Sequence, residues 1–381
     1  MEKLFYMDCD LRQFTATVTG CCPKKEGWEV TLDATAFYPT GGGQACDLGT
    51  LGAANVLDVS ERGEEIFHLC DAPLEVGSMV TGKIDWERRF DLMQQHTGEH
   101  IVSGIIHRLY GHQNSGFHVG EGLMEVDFDG PLPEGALEEI QRLANEAVRA
   151  DIPVNCYVPS PEELPGVTYR TKRELPWPVR IVEIPGIDSC ACCGIHTKNT
   201  AQVGLIYIFS CVKFHQGVRL EMACGKRALE RLHKICLQNK QVSQILSARP
   251  LETGAAAQQI KDTLAAERYR AAGLESKVFD AIAQGYAGEK TAFCFEENLE
   301  PAGVRQLAEK IAGVAGLAGV FSLKDGKYNL CLAGEADRVK ALGAALSQNL
   351  GARGGGKSGF WQGSVNATQE QLLAELPTQN A

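Results

Sequence analysis

Short stretches in which apolar and polar residues alternate fill the first 88 residues of the chain. Glycine-containing turns separate them, and one of these turns is GGGQ at residues 41–44. Alternation with a period of two, bounded by turn residues, is typical of half-buried strands. The strand-like segments are EVTLDATAFY, ANVLDVS, EEIFHLC and MVTGKIDW. Many short strands of this kind predict a small β-barrel over residues 1–88.

Helical spacing of apolar residues begins in the next part of the chain. Around residues 101–109 apolar residues recur at the helical period, and Gly111 stands where a helix commonly ends. The spacing predicts a helix over residues 90–110 and a second helix that begins at Pro133. Strand-like segments lie on both sides of the second helix without a strict alternation of strand and helix. Residues 89–225 are therefore predicted to form an α+β domain.

Two further parts complete the predicted architecture. Residues 226–284 have a helical and polar pattern that Pro250 interrupts, so we predict a helical arm. Residues 285–381 show a strand, a helix, a hairpin that turns at Asp325-Gly326 and another helix, which predicts a small α/β domain. The predicted fold class of the whole chain is α+β.

The composition of the 381-residue chain limits the classes of function. The net charge is −11, which argues against a nonspecific nucleic-acid binder but leaves room for a local basic face. Fourteen cysteines without a secretory signal are typical of a reducing cytosol, where thiols bind metals or react. No stretch reaches the roughly 18 apolar residues of a membrane span. We therefore expect a cytoplasmic protein without a membrane partner.

Two separated segments supply residues that bind transition metals. In QQHTGEH, His96 and His100 lie four positions apart and share one face of the predicted helix. In DSCACCGIHT, Cys192 and Cys193 both precede His196, at spacings that leave open which thiol is the ligand. Three imidazoles and one thiolate form a set that zinc prefers, and we predict one Zn²⁺ per chain. Four protein ligands are usual in a structural zinc site, whereas a catalytic site keeps an open position.

The first of these segments also fits a different class of enzyme. Residues 96–100 read H-x-x-E-H, the pattern of inverzincin metallopeptidases, in which Glu99 would be the general base. This alternative predicts a downstream glutamate ligand and gives no role to Cys192 or His196. Outside a peptidase, Glu99 is also open to a supporting role beside the histidines.

Several longer motifs, in the same order along the chain, resemble one family. HTGEH at residues 96–100 and CCGIH at residues 192–196 resemble the HxxxH…CxxxH zinc motif of alanyl-tRNA synthetase editing domains. Residues 32–52 and 212–229 resemble the barrel motif before that domain and the hairpin and helix that close it. GARGGGKSG at residues 351–359 resembles the glycine-rich end of a C-terminal domain shared with DHH-type phosphoesterases. Together the parts resemble the freestanding long-form alanyl-tRNA editing proteins of the AlaX type.

The resemblance implies an activity and a set of zinc ligands. The implied activity is hydrolysis of the ester that joins serine, or glycine, to tRNA(Ala). The implied zinc ligands are His96, His100, Cys192 and His196. The family spacing selects Cys192 rather than Cys193 as the thiolate. The family signature does not require a glutamate at residue 99, so Glu99 is a predicted catalytic residue whose alternative is a helix-surface or supporting role. A noncatalytic tRNA-binding protein with a structural zinc is the alternative.

The resemblance also implies a substrate pocket beside the zinc. Serine differs from alanine by one hydroxyl, and a site that hydrogen-bonds this hydroxyl strongly rejects alanine. The segment after the zinc helix carries polar residues in the family, and here it offers Gln113, Asn114, Ser115 and His118. The GGGQ turn is predicted to approach the substrate through Gly42, Gly43 and Gln44, with Thr35 beside them. A barrel turn that needs positive φ is the structural alternative for this motif.

Basic residues near the end of the chain are predicted to bind the body of tRNA(Ala). Glycine amides and cations suit phosphate, and the glycine-rich motif contains Arg353 and Lys357. Arg227 is the predicted contact on the helical arm, where interspersed acidic residues make a solvated face an equal alternative. By resemblance, residues 89–225 are the zinc-binding editing domain and residues 285–381 a DHH-associated domain that binds tRNA. Homodimerisation through the arm or the C-terminal domain is a further expectation.

Overall fold

The computed structural model describes residues 1–120, 122–171 and 177–377, and its contacts divide the chain into two compact units. The first unit is Met1–Gln241 and the second is Val242–Ala381. Strands and helices are mixed in both, so the predicted α+β class is confirmed. The finer division into four parts stays a prediction, since the unit boundary falls inside the predicted arm. Among the described residues, no helix combines the length and the apolarity that crossing a bilayer requires.

Six strands of the first unit form a closed barrel, which is the architecture that the alternating pattern predicts. The elements of this region are β1 (Glu2–Lys3), α1 (Leu4–Met7), β2 (Gln13–Lys24), β3 (Gly27–Leu32), β4 (Ala34–Thr35), β5 (Gly49–Leu51), β6 (Ala54–Arg62), β7 (Glu65–Cys70) and β8 (Met79–Ile84). The barrel closes in the order β2-β3-β7-β6-β5-β8. In β7 every second residue is buried, so Ile66, His68 and Cys70 fill the interior.

Two sheets and two helices follow the barrel in the first unit. The elements, in chain order, are α2 (Trp86–Tyr110), β9 (Asn114–Val119), β10 (Met124–Phe128), α3 (Ala136–Arg149), β11 (Asn155–Tyr157), a 3-10 turn (Leu164–Gly166), β12 (Ile181–Ile184), β13 (Asp188–Ala191), a second 3-10 turn (Thr200–Val203), β14 (Ile206–Phe214), β15 (Gly217–Cys224) and α4 (Gly225–Ile245). One sheet has the order β14-β15-β10-β9 and the other the order β11-β12-β13. Ile105 of α2, Ile140 of α3 and Leu220 of β15 share one apolar core.

Helix α2 is longer than its apolar pattern predicts. It begins at Trp86 because the Asp85 side chain accepts a hydrogen bond from the Arg88 backbone N–H at 3.2 Å and so caps the helix. It ends at Gly111, which adopts a left-handed conformation with φ of 74°. Residues 92–106 are buried throughout, so the polar residues of this stretch face neighbouring elements rather than solvent.

A buried ion pair fastens α2 to the barrel. The side chains of Arg89 and Asp47 have no exposed surface, and Arg89 Nε lies 3.1 Å from Asp47 Oδ2. The guanidinium also donates to the carbonyl of Leu11 at 3.0 Å and to that of Ala36. Because a buried charge is costly unless it is paired, these contacts fix the start of α2 relative to the barrel.

The second unit contains a five-stranded sheet and its helices. The elements are α5 (Thr253–Gln284), β16 (Ala292–Glu297), α6 (Pro301–Ala312), β17 (Leu317–Lys324), β18 (Lys327–Gly334), α7 (Ala336–Leu350), β19 (Arg353–Gly355), β20 (Phe360–Val365) and α8 (Gln369–Glu375). The strand order is β16-β17-β18-β20-β19. The predicted hairpin turn is confirmed, with φ of 51° at Asp325 and 78° at Gly326. The predicted break at Pro250 is also confirmed, because this residue lies between α4 and α5.

Candidate metal centre

Four side chains from two parts of the chain converge at one point. His96 and His100 lie about one turn apart on α2, and Cys192 and His196 follow β13. Their ligand atoms lie within 4.8 Å of one another, so the group could hold a metal ion. Cys193 is exposed and does not belong to the group, so the geometry favours Cys192 over Cys193 as the thiol ligand.

Hydrogen bonds hold the loop after β13 in place. The Arg180 guanidinium donates to the carbonyls of Cys192 at 2.9 Å and Gly194 at 2.8 Å. The Thr197 backbone N–H donates to Thr97 Oγ1 on α2 at 3.0 Å. The loop is therefore fixed both by a cation beside it and by the helix that carries the two histidines.

Each histidine of the cluster has its Nδ1 atom engaged by a neighbouring polar group. The three pairs are His96 with Gln44 Oε1 at 2.9 Å, His100 with Asp188 Oδ2 at 3.0 Å, and His196 with Thr97 Oγ1 at 3.3 Å. Partners of this kind fix the orientation of metal-binding imidazoles and leave Nε2 for the metal. The Nε2 atom is thus the ligand atom that each ring offers to the centre of the cluster.

One buried nitrogen of the cluster lacks a protein partner. His196 Nε2 is buried, and nothing in the described part of the chain forms a hydrogen bond with it. His96 Nε2 lies 3.5 Å from Cys192 Sγ, so the neighbouring ligand atoms face the same point. A buried polar atom without a partner is unfavourable, and a metal ion at this point would satisfy it. The donor set therefore fits a metal ion.

The pKa shifts of Cys192 and His196 also suit metal binding. Burial raises the pKa of a thiol, but the charge of His96 and a hydrogen bond with His100 hold the pKa of Cys192 well below its usual value. The thiolate is the form that binds metals. Burial, together with the charge of His96, lowers the pKa of His196 well below its usual value. That ring is consequently neutral, as a metal ligand must be.

The partner of His100 is itself held by an arginine. Asp188 is almost fully buried, and Arg170 donates to its two oxygens at 2.7 and 2.9 Å. Burial raises the pKa of Asp188, but the hydrogen bonds of His100 and Arg170 lower it to about 2. Burial opposes the charge of His100 as well, yet Asp188 and Cys192 raise the pKa of His100 well above its usual value. Asp188 is therefore an ionised acceptor behind a metal-binding ring.

The cluster opens into a cavity of about 1220 Å³. His96, His100 and Cys192 line this cavity, whereas His196 does not. Structural zinc sites are closed by their ligands, and catalytic sites keep an open position. The open side of this cluster is consequently the geometry of a centre that acts on a bound molecule.

Six predicted site residues that are not among the four of the cluster line this cavity. They are Gly42, Gly43, Glu99, Gln113, Asn114 and Ser115. Thr35, Gln44 and His118 do not line it. Thr35 bonds to His68 at 2.8 Å inside the barrel. His118 is exposed, because successive strand residues face opposite sides and its neighbour Phe117 lines the cavity.

Glu99 is buried beside the histidines. Its Oε1 atom accepts hydrogen bonds from Ser103 Oγ at 2.5 Å and from the Asn114 amide. Its Oε2 atom lies 3.9 Å from His100 Nε2. One oxygen therefore fixes Asn114, and the other is near the metal-facing side of the cavity.

The GGGQ turn of the barrel reaches the metal centre. The predicted contact of Gln44 with the substrate is wrong, because Gln44 supports a histidine of the cluster and does not line the cavity. Gly42 and Gly43 have φ of 58° and 81°, and a Cβ on Gly43 would lie 2.5 Å from the Phe117 ring. Gln44 is 1% exposed and holds His96 through its amide oxygen. The turn thus needs glycine for its conformation and its close approach, and glutamine for the histidine.

The predicted tRNA contacts have different surroundings. Arg227 is half-buried, forms an ion pair with Asp91 at 2.6 Å and donates to the Gly120 carbonyl at 2.5 Å. Its guanidinium is therefore engaged within the first unit, and we correct its predicted role to a structural one. Arg353 and Lys357 are both exposed in the second unit.

Several residues that hold the metal centre or line the cavity were missed from the sequence, and Asp188, Arg170, Tyr6 and Arg180 are among them. Asp188 stands just before the cysteine segment, where an acidic residue next to metal ligands is a usable signal. Arg170 has no such signal, because its contact depends on folding. Tyr6 of α1 donates to the Cys193 carbonyl at 2.7 Å, and Arg180 Cζ lies 4.7 Å from the Tyr6 ring centroid. Arg170, Tyr6 and Arg180 all come from segments without a recognisable motif.

The geometry contradicts the peptidase alternative. That alternative gave no role to Cys192 or His196, and both belong to the cluster. Within the described ranges, the residues grouped with His96 include no downstream glutamate. The H-x-x-E-H match is therefore a coincidence of spacing.

Residues 179–219 match the family described as "Threonyl and Alanyl tRNA synthetase second additional domain". The matched segment contains Cys192 and His196. The fold and the centre thus define a protein that carries this synthetase-associated domain.

Whole-chain relatives specify the family. "Alanyl-tRNA editing protein Aarsd1" of Rattus norvegicus is 30% identical over 405 residues, which cover 99% of this chain and 96% of the relative. The Aarsd1 protein of Danio rerio is 27% identical over 391 residues, with 97% and 95% covered. "Alanyl-tRNA editing protein AlaX-L" of Pyrococcus horikoshii is 32% identical over 245 residues, with 62% and 61% covered. This chain belongs to the family of alanyl-tRNA editing proteins.

One solved structure that resembles part of the chain is the C-Ala domain of Aquifex aeolicus alanyl-tRNA synthetase. It is 22% identical, covers 23% of this chain and 90% of its own, and has a TM-score of 0.21.

Proposed function

We propose that this protein hydrolyses the ester of mischarged tRNA(Ala), with serine and secondarily glycine as the amino acids removed. The family's name gives editing of alanyl-tRNA as the process, and a hydrolase of this kind removes the wrong amino acid from the tRNA. Charged tRNA is consumed in the cytoplasm, where we place the activity. A homodimer stays a prediction.

One observation carries the proposal: the metal cluster is open to a large cavity. His96, His100 and Cys192 line that cavity. A metal that only stabilised the fold would be enclosed by its four ligands. An opening toward polar groups such as Glu99 and Asn114 provides the space that an ester substrate needs.

We assign Zn²⁺ to the centre, held by His96, His100, Cys192 and His196. Soft thiolate with imidazole nitrogens is a ligand set that suits zinc. When bound, zinc supplies a Lewis acid for the ester carbonyl and lowers the pKa of water. Gln44, Asp188 and Thr97 keep the three rings oriented for this task.

The carboxylate of Glu99 is positioned to handle a proton. Its Oε1 is occupied by Ser103 and Asn114, which prevents the side chain from turning. We propose that Oε2, near His100, accepts the proton of the attacking water. Glu99 thereby also fixes Asn114 in the wall of the cavity.

Selection of serine requires a hydrogen bond to its hydroxyl. Gln113, Asn114 and Ser115 place polar groups in the cavity wall, and we propose that they bind this hydroxyl. A site that is built for a hydroxyl leaves its polar groups unpaired when alanine enters, which raises the barrier for the correct amino acid. Alanine is then spared.

Deacylation of Ser-tRNA(Ala) and Ala-tRNA(Ala), with and without a zinc chelator, tests the proposal. We expect serine to be released faster than alanine by a factor of up to about 10⁴, because the site recognises the hydroxyl. The chelator should abolish the release, and added Zn²⁺ should restore it. Tight binding of tRNA without hydrolysis would instead establish the second candidate, a tRNA-binding protein with a structural metal.

The second unit offers a separate prediction about tRNA binding. Arg353→Ala with Lys357→Ala should raise KM and leave kcat nearly unchanged, since these exposed cations contact phosphates rather than the ester. The dependence of log KM on log salt concentration should become shallower by about 2, roughly one for each phosphate that is no longer neutralised. Lys25→Ala with Lys213→Ala removes the same charge from exposed sites of the first unit. Equal KM values for the two double variants would contradict a tRNA-binding role of the glycine-rich motif.

A further inference from the structure

An exposed tyrosine borders the cavity on the small sheet β11-β12-β13. All three residues of β11 are exposed, and Tyr157 at its end is 37% exposed while it lines the cavity. The adjacent Val158 is 50% exposed and lines the cavity as well. An apolar surface that continues from a polar centre along one cavity indicates a second part of the same ligand.

The strand register gives the distance between this surface and the metal centre. Tyr157 pairs with Ile181 of β12, and Ile181 pairs with Ala191 of β13. Neighbouring strands are about 4.8 Å apart, so Tyr157 lies roughly 10 Å across the sheet from Ala191. Ala191 is followed directly by the cluster thiolate Cys192. Tyr157 is thus two strand spacings from the reacting end of the cavity.

A fixed cation lies between these two ends. Arg180 precedes Ile181, and its carbonyl accepts a hydrogen bond from the Cys192 backbone N–H at 3.0 Å. Its guanidinium is held by the Cys192 and Gly194 carbonyls and by the Tyr6 ring, and it lines the cavity. A guanidinium held in this way is a ready partner for a phosphate.

The size of the cavity agrees with a ligand larger than an amino acid. Its volume of about 1220 Å³ exceeds the roughly 300–1,000 Å³ that pockets for drug-sized molecules have. A seryl group fills a small part of that space. A seryl ester of a nucleotide has a ribose between the ester and the base, and the base therefore stands a nucleoside's length from the metal centre.

We propose that Tyr157 stacks on the base of the 3′-terminal nucleotide of the tRNA, and that Arg180 faces the phosphate of this nucleotide. This subsite rests on the proposed function, because it places the ester of the same nucleotide at the metal centre. Stacking on an aromatic ring suits every base, since every base has a π-face. The subsite therefore positions the terminal nucleotide, while the rest of the tRNA is recognised elsewhere.

The test compares two esters that differ only in the nucleotide. For the wild-type chain and its variants, kcat/KM is measured on the 3′-seryl ester of adenosine 5′-monophosphate and on serine methyl ester. With Tyr157→Ala, the ratio of the two values should fall about 5- to 150-fold, the effect of removing one stacked ring. Tyr157→Phe keeps the ring and should retain the wild-type ratio. Tyr269→Ala removes a tyrosine of α5 that is 85% exposed and should also retain it.

Each outcome decides between the two proposals. An unchanged ratio in Tyr157→Ala, or an equal fall in Tyr157→Phe, overturns the subsite while the proposed function stands. If the wild-type chain hydrolyses neither ester, the subsite is judged by binding of 3′-seryl-amido-adenosine, and the proposed function fails if Ser-tRNA(Ala) is not deacylated either. A dissociation constant raised by the same factor in Tyr157→Ala supports the subsite, and equal constants overturn it.

Discussion

Replacing His100 with alanine is expected to abolish deacylation and to remove the bound zinc. His100 supplies one of four ligand atoms that lie within 4.8 Å of one another, and it lines the cavity. Its loss also leaves the buried carboxylate of Asp188 without the ring that it holds at 3.0 Å. We expect less than about 1% of wild-type kcat/KM, since the proposed Lewis acid is worth several kcal/mol of barrier. Zinc content by atomic emission and single-turnover deacylation measure the two effects.

His118→Ala is the matched control for this substitution. His118 is exposed and does not line the cavity, although the sequence predicts it as a substrate contact. The control should keep one zinc per chain and wild-type deacylation. Full deacylation by His100→Ala in a protein free of zinc would refute the role of the metal centre.

Asp188→Asn should weaken zinc binding by about 10- to 100-fold, the usual effect of removing an outer partner of a metal-binding histidine. The amide is close in size to the carboxylate, so the cavity keeps its shape. It carries no charge for Arg170, which donates to both oxygens of Asp188. Deacylation at limiting zinc should fall with the affinity, and excess zinc should restore most of it. A competition titration against a chromophoric chelator gives the affinity directly.

Asp127→Asn provides the control for the removal of an arginine–aspartate pair. Asp127 on β10 forms a comparable two-point contact with Arg219, at 2.6 and 2.8 Å, and does not line the cavity. This variant should lose some stability but keep the zinc affinity of the wild-type chain. If Asp188→Asn also kept that affinity, the carboxylate would have no part in holding His100.

The placement of the two α2 histidines of the cluster was predictable from the sequence because local geometry dictates it. A helix brings residues four apart to one face, so His96 and His100 needed no knowledge of the fold. The hairpin at Asp325-Gly326 is likewise a local effect. Cys192 required more, since both cysteines of the pair were plausible by spacing and only the folded loop separates them.

The errors arose where the outcome depends on distant parts of the chain. His118 was predicted from its place after the zinc helix, but strand alternation turns it away from the cavity. Arg227 has the sequence context of a surface cation, but it pairs with Asp91, 136 positions earlier. Gln44 was expected to touch the substrate, and instead it orients His96 from the barrel. For Arg227 and Gln44 a long-range contact outweighs the local pattern, and for His118 the conformation of the strand does.

The metal centre combines two segments that carry the candidate ligands with Gln44 of the barrel. This arrangement also determines the order in which the centre assembles during protein synthesis. Gln44, the α2 histidines and the Cys192–His196 loop emerge from the ribosome at widely separated times, and the barrel emerges first. Domains fold largely in the order of their synthesis, whereas a metal site forms only when its last ligand is present. A nascent chain that ends before residue 196 therefore contains the barrel with Gln44 but lacks a complete zinc site. Binding of the metal is therefore a late step, and it requires that the barrel and α2 have already packed against each other.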